Sequence, residues 1–176
     1  MRKILYISIF LIAVCPIVFS GQVNKTPQQL IDITIFNTQE KKNWIFQKDY
    51  QLSQLNQSEI SECEHILKIF IDQYNIKGKA KLDSLKKRYN TPKYKHIQFL
   101  KNQFYIDLKK YGRQYIAVKD KHSHTIVYIN CFCNPSEFSY RKQEWVQVED
   151  GGNCFFQIKI DLNDKKVIDY KENGVA

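Results

Sequence analysis

Residues Trp145–Gly174, WVQVEDGGNCFFQIKIDLNDKKVIDYKENG, carry the pattern that decides the fold. Between Cys154 and Leu162, the residues Cys154, Phe156, Ile158, Ile160 and Leu162 fall on one side of an extended chain, and Gln157, Lys159 and Asp161 on the other. A period of two with one apolar face marks a half-buried strand. Asp150-Gly151-Gly152-Asn153 before it and Asn163-Asp164 after it tolerate left-handed backbone, so the chain reverses at both places. The stretch predicts three alternating segments in succession, a β-meander, with everything upstream packed on one of its faces.

Immediately upstream the period stays at two. Gln114 to Lys119 and Thr125 to Cys133 predict a hairpin across Asp120-Lys121-His122-Ser123-His124, and Asn134-Pro135 stops its second strand because proline has no amide to donate. Val127, Ile129, Cys131 and Cys133 share one face, while Ile126, Tyr128, Asn130 and Phe132 share the other. Further upstream the spacing becomes helical. Asn56 is an N-cap with Glu59 three residues on and Leu55/Ile60 as a hydrophobic staple. The helix it opens runs to about Tyr74, with Ile60, Cys63, Ile66, Leu67, Phe70, Ile71 and Tyr74 on one face, and Gly78 follows its end. Ala80 to Tyr89 reads as a second, short, Lys-rich helix. A third is predicted from Thr91-Pro92 to Gly112, through Tyr94, Ile97, Leu100, Phe104, Leu108 and Tyr111, with a basic outer face of Lys95, Lys101, Lys109 and Lys110.

At the N-terminus, Arg2 and Lys3 precede an apolar run from Ile4 through Phe19 that ends at Ser20. This is the pattern of a secretory signal peptide over residues 1–20. Cys15, after Leu11-Ile12-Ala13-Val14, offers a lipoprotein site as the minor alternative, which Val14 disfavours. Residues 21–54 read as a tether with a short strand near Ile31 to Phe36, and Trp44-Ile45-Phe46 as another strand or a loop anchor. Residues 55–176 form a single domain. Removing residues 1–20 leaves 25 Lys+Arg against 18 Asp+Glu, 25 − 18 = +7 over 156 residues. That length buries a core without help from disulfides, and the charge both solubilises the chain and favours anionic partners.

Export leaves Cys63, Cys131, Cys133 and Cys154, and makes disulfides chemically permitted. Cys131, Cys133 and Cys154 are the candidate disulfide or thiol cluster. Either Cys131 or Cys133 could pair with Cys154, or the thiols stay free; Cys131 to Cys133 directly would strain the bond. Asp150-Gly151-Gly152-Asn153-Cys154-Phe155 looks like the nucleophile motif of ovarian-tumour-type cysteine proteases but fails it. An extra Gly interrupts the spacing, a strand follows where those enzymes have a helix, and no histidine comes after His124. Cys63 and His65 lie about 200° apart around a helix and cannot share an ion, and His122 with His124 is too sparse a set. No catalytic, cofactor-binding or metal-ligating residues are assigned, and no cofactor is expected.

Tyr-Ile-Asn-Cys-Phe-Cys at 128–133, Trp145, Asp-Gly-Gly-Asn-Cys-Phe-Phe at 150–156 and the closing Asn173-Gly174 resemble a group of small exported bacterial proteins of unknown function. The resemblance implies export and a single domain, and brings no activity. The expected architecture is α+β, with N-terminal helices on one face of a four- to five-stranded antiparallel meander whose inner face holds Val127, Ile129, Val146, Val148, Phe156, Ile158 and Ile160. Tyr128, Phe132, Trp145 and Phe155 are the candidate binding-face aromatics. The expected function is a non-enzymatic binding or accessory domain for an envelope protein, a peptide or an anionic glycan. Nucleic acid is not expected, and membrane contact is expected only if the signal is retained or lipidated. The alternative is a thiol-dependent redox protein or enzyme using Cys154 with Cys131 or Cys133.

Overall fold

A computed structural model describes residues 32–174. The signal peptide, the Cys15 site and residues 21–31 of the tether lie outside these residues. The described chain is α+β, with six strands in one mixed sheet and two α-helices. In chain order these are β1 (Ile33–Ile35), α1 (Gln39–Ile45), β2 (Gln51–Ser53), α2 (Gln57–Arg88), β3 (Tyr111–Lys119), β4 (Thr125–Cys133), β5 (Phe155–Asp161) and β6 (Lys166–Glu172). The sheet order is β1-β3-β4-β5-β6, and β2 shares the outer edge of β3 with β1. β1 runs parallel to β3, pairing Ile33 with Arg113 and Ile35 with Tyr115, whereas every other pair is antiparallel.

The β3–β4 and β5–β6 hairpins follow the alternation, with Ser123 and Lys165 in left-handed conformation at their turns. Trp145 to Glu149 forms no strand, so the meander contains two strands and an irregular segment where three alternating segments were expected. The physical reason is that side-chain amides of the sheet, and not a neighbouring strand, take up this segment's backbone groups.

The helices differ most from expectation. One helix, α2, spans all 32 residues from Gln57 to Arg88 and passes straight through Gly78. Its start is the expected capping box: Glu59 N–H donates to Asn56 Oδ1 at 3.0 Å and Asn56 N–H to Glu59 Oε2 at 2.8 Å. Gly78 serves close packing, since a Cβ there would lie 2.0 Å from the Phe104 carbonyl oxygen. The third helix does not form. Residues 91–110 instead make three short 3-10 turns, Pro92–Tyr94, Lys101–Gln103 and Leu108–Lys110. Asn75 on α2 captures the backbone of Ile106 at both N–H (2.8 Å) and C=O (2.9 Å), diverting it from helical bonding. Tyr111 and Gly112 belong to β3. Trp44-Ile45-Phe46 is likewise not a strand: it ends α1, with Trp44 exposed and Phe46 buried.

Cys63, Ile66, Leu67 and Ile71 of α2 share one core with Tyr115, Val127, Ile129, Phe156, Ile158 and Ile160 of the sheet. Burying each large aliphatic or aromatic group contributes about 2 kcal/mol by transfer from water. Val146 and Val148, expected on this inner face, are absent from that core. A second apolar layer covers the other face: Phe36, Phe46, Ile116, Val118, Ile126 and Trp145. The sheet is therefore buried on both faces, which is why β3 carries eight buried residues in succession from Tyr111 to Val118.

Candidate functional site

The face opposite α2 carries a row of amides in register. Gln114 on β3 pairs with Asn130 on β4, and Asn130 with Gln157 on β5. Their side chains bond in sequence, Asn130 Nδ2 donating to Gln114 Oε1 at 3.0 Å and Gln157 Nε2 to Asn130 Oδ1 at 3.3 Å. Gln157 Nε2 also donates to Asn173 Oδ1 at 3.3 Å. Buried amides need partners at both ends, and the 141–150 segment supplies them. Gln114 Nε2 donates to the carbonyls of Arg141 and Glu144 at 2.6 Å each, and Gln114 Oε1 accepts from Val146 N–H at 2.9 Å. Asn130 Nδ2 donates to Val146 C=O at 2.9 Å, and Asn173 Nδ2 donates to Val148 C=O. The irregular segment is thus held across the sheet by its backbone.

That attachment forms a cavity of about 420 Å³. Asn130, Gln157 and Asn173 lie along its floor, and Tyr128, Trp145 and Phe155 form its aromatic walls. Trp145 sits edge-on to Tyr128 at 5.6 Å and to Phe36 at 4.5 Å. Gly151, at φ 97°, makes the turn and seats Phe155, whose ring lies 2.7 Å from where a Cβ would stand. Glu149 is the single charged residue of the lining, which holds no Lys or Arg. Three of the four candidate aromatics therefore meet at one place. Phe132 does not join them. It is 1% exposed, its ring filling the space over Gly112 and capped edge-on by Phe138 at 5.5 Å. Nor is Trp145 freely exposed, at 8%. The amides were the unread signal: alternation placed Asn130 and Gln157 on the polar side of their strands, but only the pairing register connects them to Gln114.

The cysteines separate. Cys133 and Cys154 form a disulfide, with Cα atoms 5.1 Å apart at the mouth of the β4–β5 pair. Cys131 and Cys63 remain free and buried. Burial pushes both thiols up to about 12, the charge of Glu64 adding to the effect and Arg113 partly opposing it at Cys131. A thiol so far from ionisation is a poor nucleophile or metal ligand.

Elsewhere, His124, Asp161 and Asp164 bring ligand atoms within 4.8 Å of one another where the β3–β4 and β5–β6 turns meet. Three of their four carboxylate oxygens are already engaged. Asp161 Oδ2 meets His124 Nδ1 at 2.9 Å, its Oδ1 accepts from the backbone of Asn163 and Asp164, and Asp164 Oδ2 pairs with Lys166 at 2.7 Å. The bond to Asp161 raises the His124 pKa. Burial opposes ionisation of Asp161, yet the bonds from His124, Asp164 and Asn163 together hold its pKa below the usual value.

No helix of the described residues is long and apolar enough to cross a membrane. No protein-family model matches the chain, and neither the curated proteins nor the solved structures include a match.

Proposed function

We propose that this protein is an exported, non-enzymatic binding domain and that its ligand occupies the cavity between Trp145 and Gln157. The observation that carries the reading is the meeting of three aromatic side chains with three linked amides around one cavity lacking any cation. Aromatic faces take the apolar faces of a ligand, and fixed amides exchange directional hydrogen bonds with hydroxyls or peptide groups. Such a lining suits an uncharged, hydroxyl-rich ligand, a neutral glycan, better than the anionic glycan that net charge alone favoured. Export rests on the pattern of residues 1–20.

Titrating neutral and acidic oligosaccharides while following Trp145 fluorescence tests this reading, with Trp44→Phe removing the other tryptophan. Neutral sugars are expected to shift the emission, and Gln157→Ala to weaken binding about tenfold, the loss of a directed hydrogen bond or two. Binding that ignores Gln157→Ala, or that only acidic sugars produce, would sink the proposal. The thiol-dependent alternative has less support in its Cys131 form, because Cys131 is buried with a raised pKa and Cys154 pairs with Cys133 instead.

A further inference from the structure

The positive charge of this chain is concentrated in one segment. Residues 77–110 contain eleven Lys and Arg and two acids, Asp83 and Asp107, so 11 − 2 = +9, the formal charge of the entire chain. Everything outside the segment sums to zero. The segment comprises the last third of α2 and the irregular return that follows it. The return folds back on the helix: the Phe104 backbone sits against Gly78, the Phe104 ring lies 5.9 Å from Lys81 Nζ, and Tyr94 and Phe99 pack on Tyr89 with ring centres at 5.1 and 5.7 Å. Between them lies a surface depression of about 660 Å³, bordered by Lys86, Lys87 and Lys95 beside Tyr89, Tyr94 and Phe99.

All eleven cations are exposed, and among the described residues only Lys79 has an acidic partner, Asp83 at 2.7 Å. Arg88, Lys93 and Lys101 lie over the rings of Tyr89, Tyr94 and Tyr105 at 5.7, 5.3 and 5.0 Å. A solvated structural face would carry acids among its bases; this one repels itself, and an anionic surface relieves that repulsion. The same segment exposes two large apolar side chains, Leu100 at 53% and Tyr105 at 43%, and Ile76, immediately before it, is 71% exposed. Nucleic acid and acidic polysaccharide have no use for exposed aliphatic groups, whereas a bilayer interface accepts lysine, tyrosine and aliphatic side chains together.

We propose that residues 77–110 dock this protein peripherally on an anionic phospholipid bilayer. The lysines face the headgroups, and Leu100, Ile76 and Tyr105 enter the interface. This attachment is independent of the cavity between Trp145 and Gln157, and needs neither a lipidated Cys15 nor a spanning helix in the described residues.

Vesicle sedimentation tests it, with phosphatidylcholine vesicles containing or lacking phosphatidylglycerol. The full chain and a chain beginning at Gly21 are both measured, the second to remove the apolar run at 4–19, with circular dichroism confirming that each protein is folded. Binding is expected only with the anionic lipid and is expected to fall with added salt. Lys86→Gln/Lys87→Gln/Lys95→Gln is expected to weaken it on the order of 100-fold, about fivefold per cation. Leu100→Asp is expected to weaken vesicle binding about tenfold and to leave retention on heparin nearly unchanged. If the variants bind vesicles as the parent does, or if the Gly21 chain ignores phosphatidylglycerol, the proposal is overturned. Tighter binding to heparin or DNA than to anionic vesicles, with the same response to Leu100→Asp in both, would assign the face to a soluble polyanion instead and overturn the lipid assignment.

Discussion

Arg113 on β3 and Glu64 on α2 form an ion pair across the main core, Nε to Oε1 3.0 Å, with the arginine 2% exposed. Arg113 Nε lacks the alignment of a hydrogen bond there, but its other nitrogens donate to the carbonyls of Tyr111 at 3.2 Å and Leu108 at 3.1 Å. The Tyr115 hydroxyl also donates to Glu64, and burial followed by that neighbouring charge raises its pKa. Removing one partner of a buried pair leaves the other charge uncompensated. Glu64→Ala is therefore expected to cost about 3 kcal/mol in chemical denaturation, the lower end of the range because Glu64 keeps some solvent contact. Glu64→Leu with Arg113→Met should recover most of that loss; a double variant as unstable as the single one would refute the account.

The Cys133–Cys154 bond closes a loop with a sequence separation of 21. Restricting a loop of that size in the unfolded chain stabilises by about 3 kcal/mol. Cys133→Ser/Cys154→Ser should lose that amount. Alkylation followed by mass spectrometry should modify Cys63 and Cys131 only after denaturation, and Cys133 and Cys154 only after reduction. Labelling of Cys154 in the folded, unreduced protein would contradict the pairing.

His124 and Asp161 tie the two hairpin turns together, and their shifts set a pH window. The pKa of His124 is raised from 6.5, first by its bond to Asp161 and with help from Asp120 and Asp164, so its contribution is complete below 6.5 and fades as pH rises through the folded value. The pKa of Asp161 is lowered from 3.8, so its contribution is present above 3.8 and fades as pH falls through the folded value. Stability from this pair should therefore peak between these two values. The denaturation midpoint should drop between mildly acidic and mildly alkaline buffer, and His124→Asn should flatten that drop. An unchanged slope in the variant would rule the pair out as its source.

Gly78→Ala offers a test by sign. In a free helix interior the change stabilises by about 1 kcal/mol, but here the new methyl would stand 2.0 Å from the Phe104 carbonyl oxygen. The variant should be destabilised by about 1–3 kcal/mol. A stabilised variant would show that the 89–106 return does not press on α2.

Gln114 is fully buried, and its amide makes four hydrogen bonds. Gln114→Leu would orphan the carbonyls of Arg141 and Glu144 and the amide of Val146, at about 3 kcal/mol in total. Hydrogen exchange should accelerate at Val146 while α2 stays protected. Equal acceleration in both would mean that Gln114 holds the global fold and not the cavity wall.

Local pattern sufficed for some elements of this protein. Alternation with two faces gave β4 and β5 and the hairpin turns, and the Asn56 box gave the start of α2, because a strand's period and a cap's bonds are both contained within a few residues. Other elements depended on residues far away in sequence. The helical spacing from Tyr94 to Tyr111 looked sufficient for a helix, yet Asn75 takes the Ile106 backbone and β3 takes Tyr111. The alternation of Val146 and Val148 looked like a strand, yet Gln114, Asn130 and Asn173 hold that backbone instead. The choice of Cys133 over Cys131 likewise waited on register, since both share one face of β4 and only Cys133 lies beside Cys154. The sequence by itself determined the α+β class, the strand periodicity and the concentration of positive charge in residues 77–110. Only the tertiary structure decided which backbone groups found which partners, because hydrogen bonds across the fold compete with local ones at similar strength and win wherever packing brings them within reach.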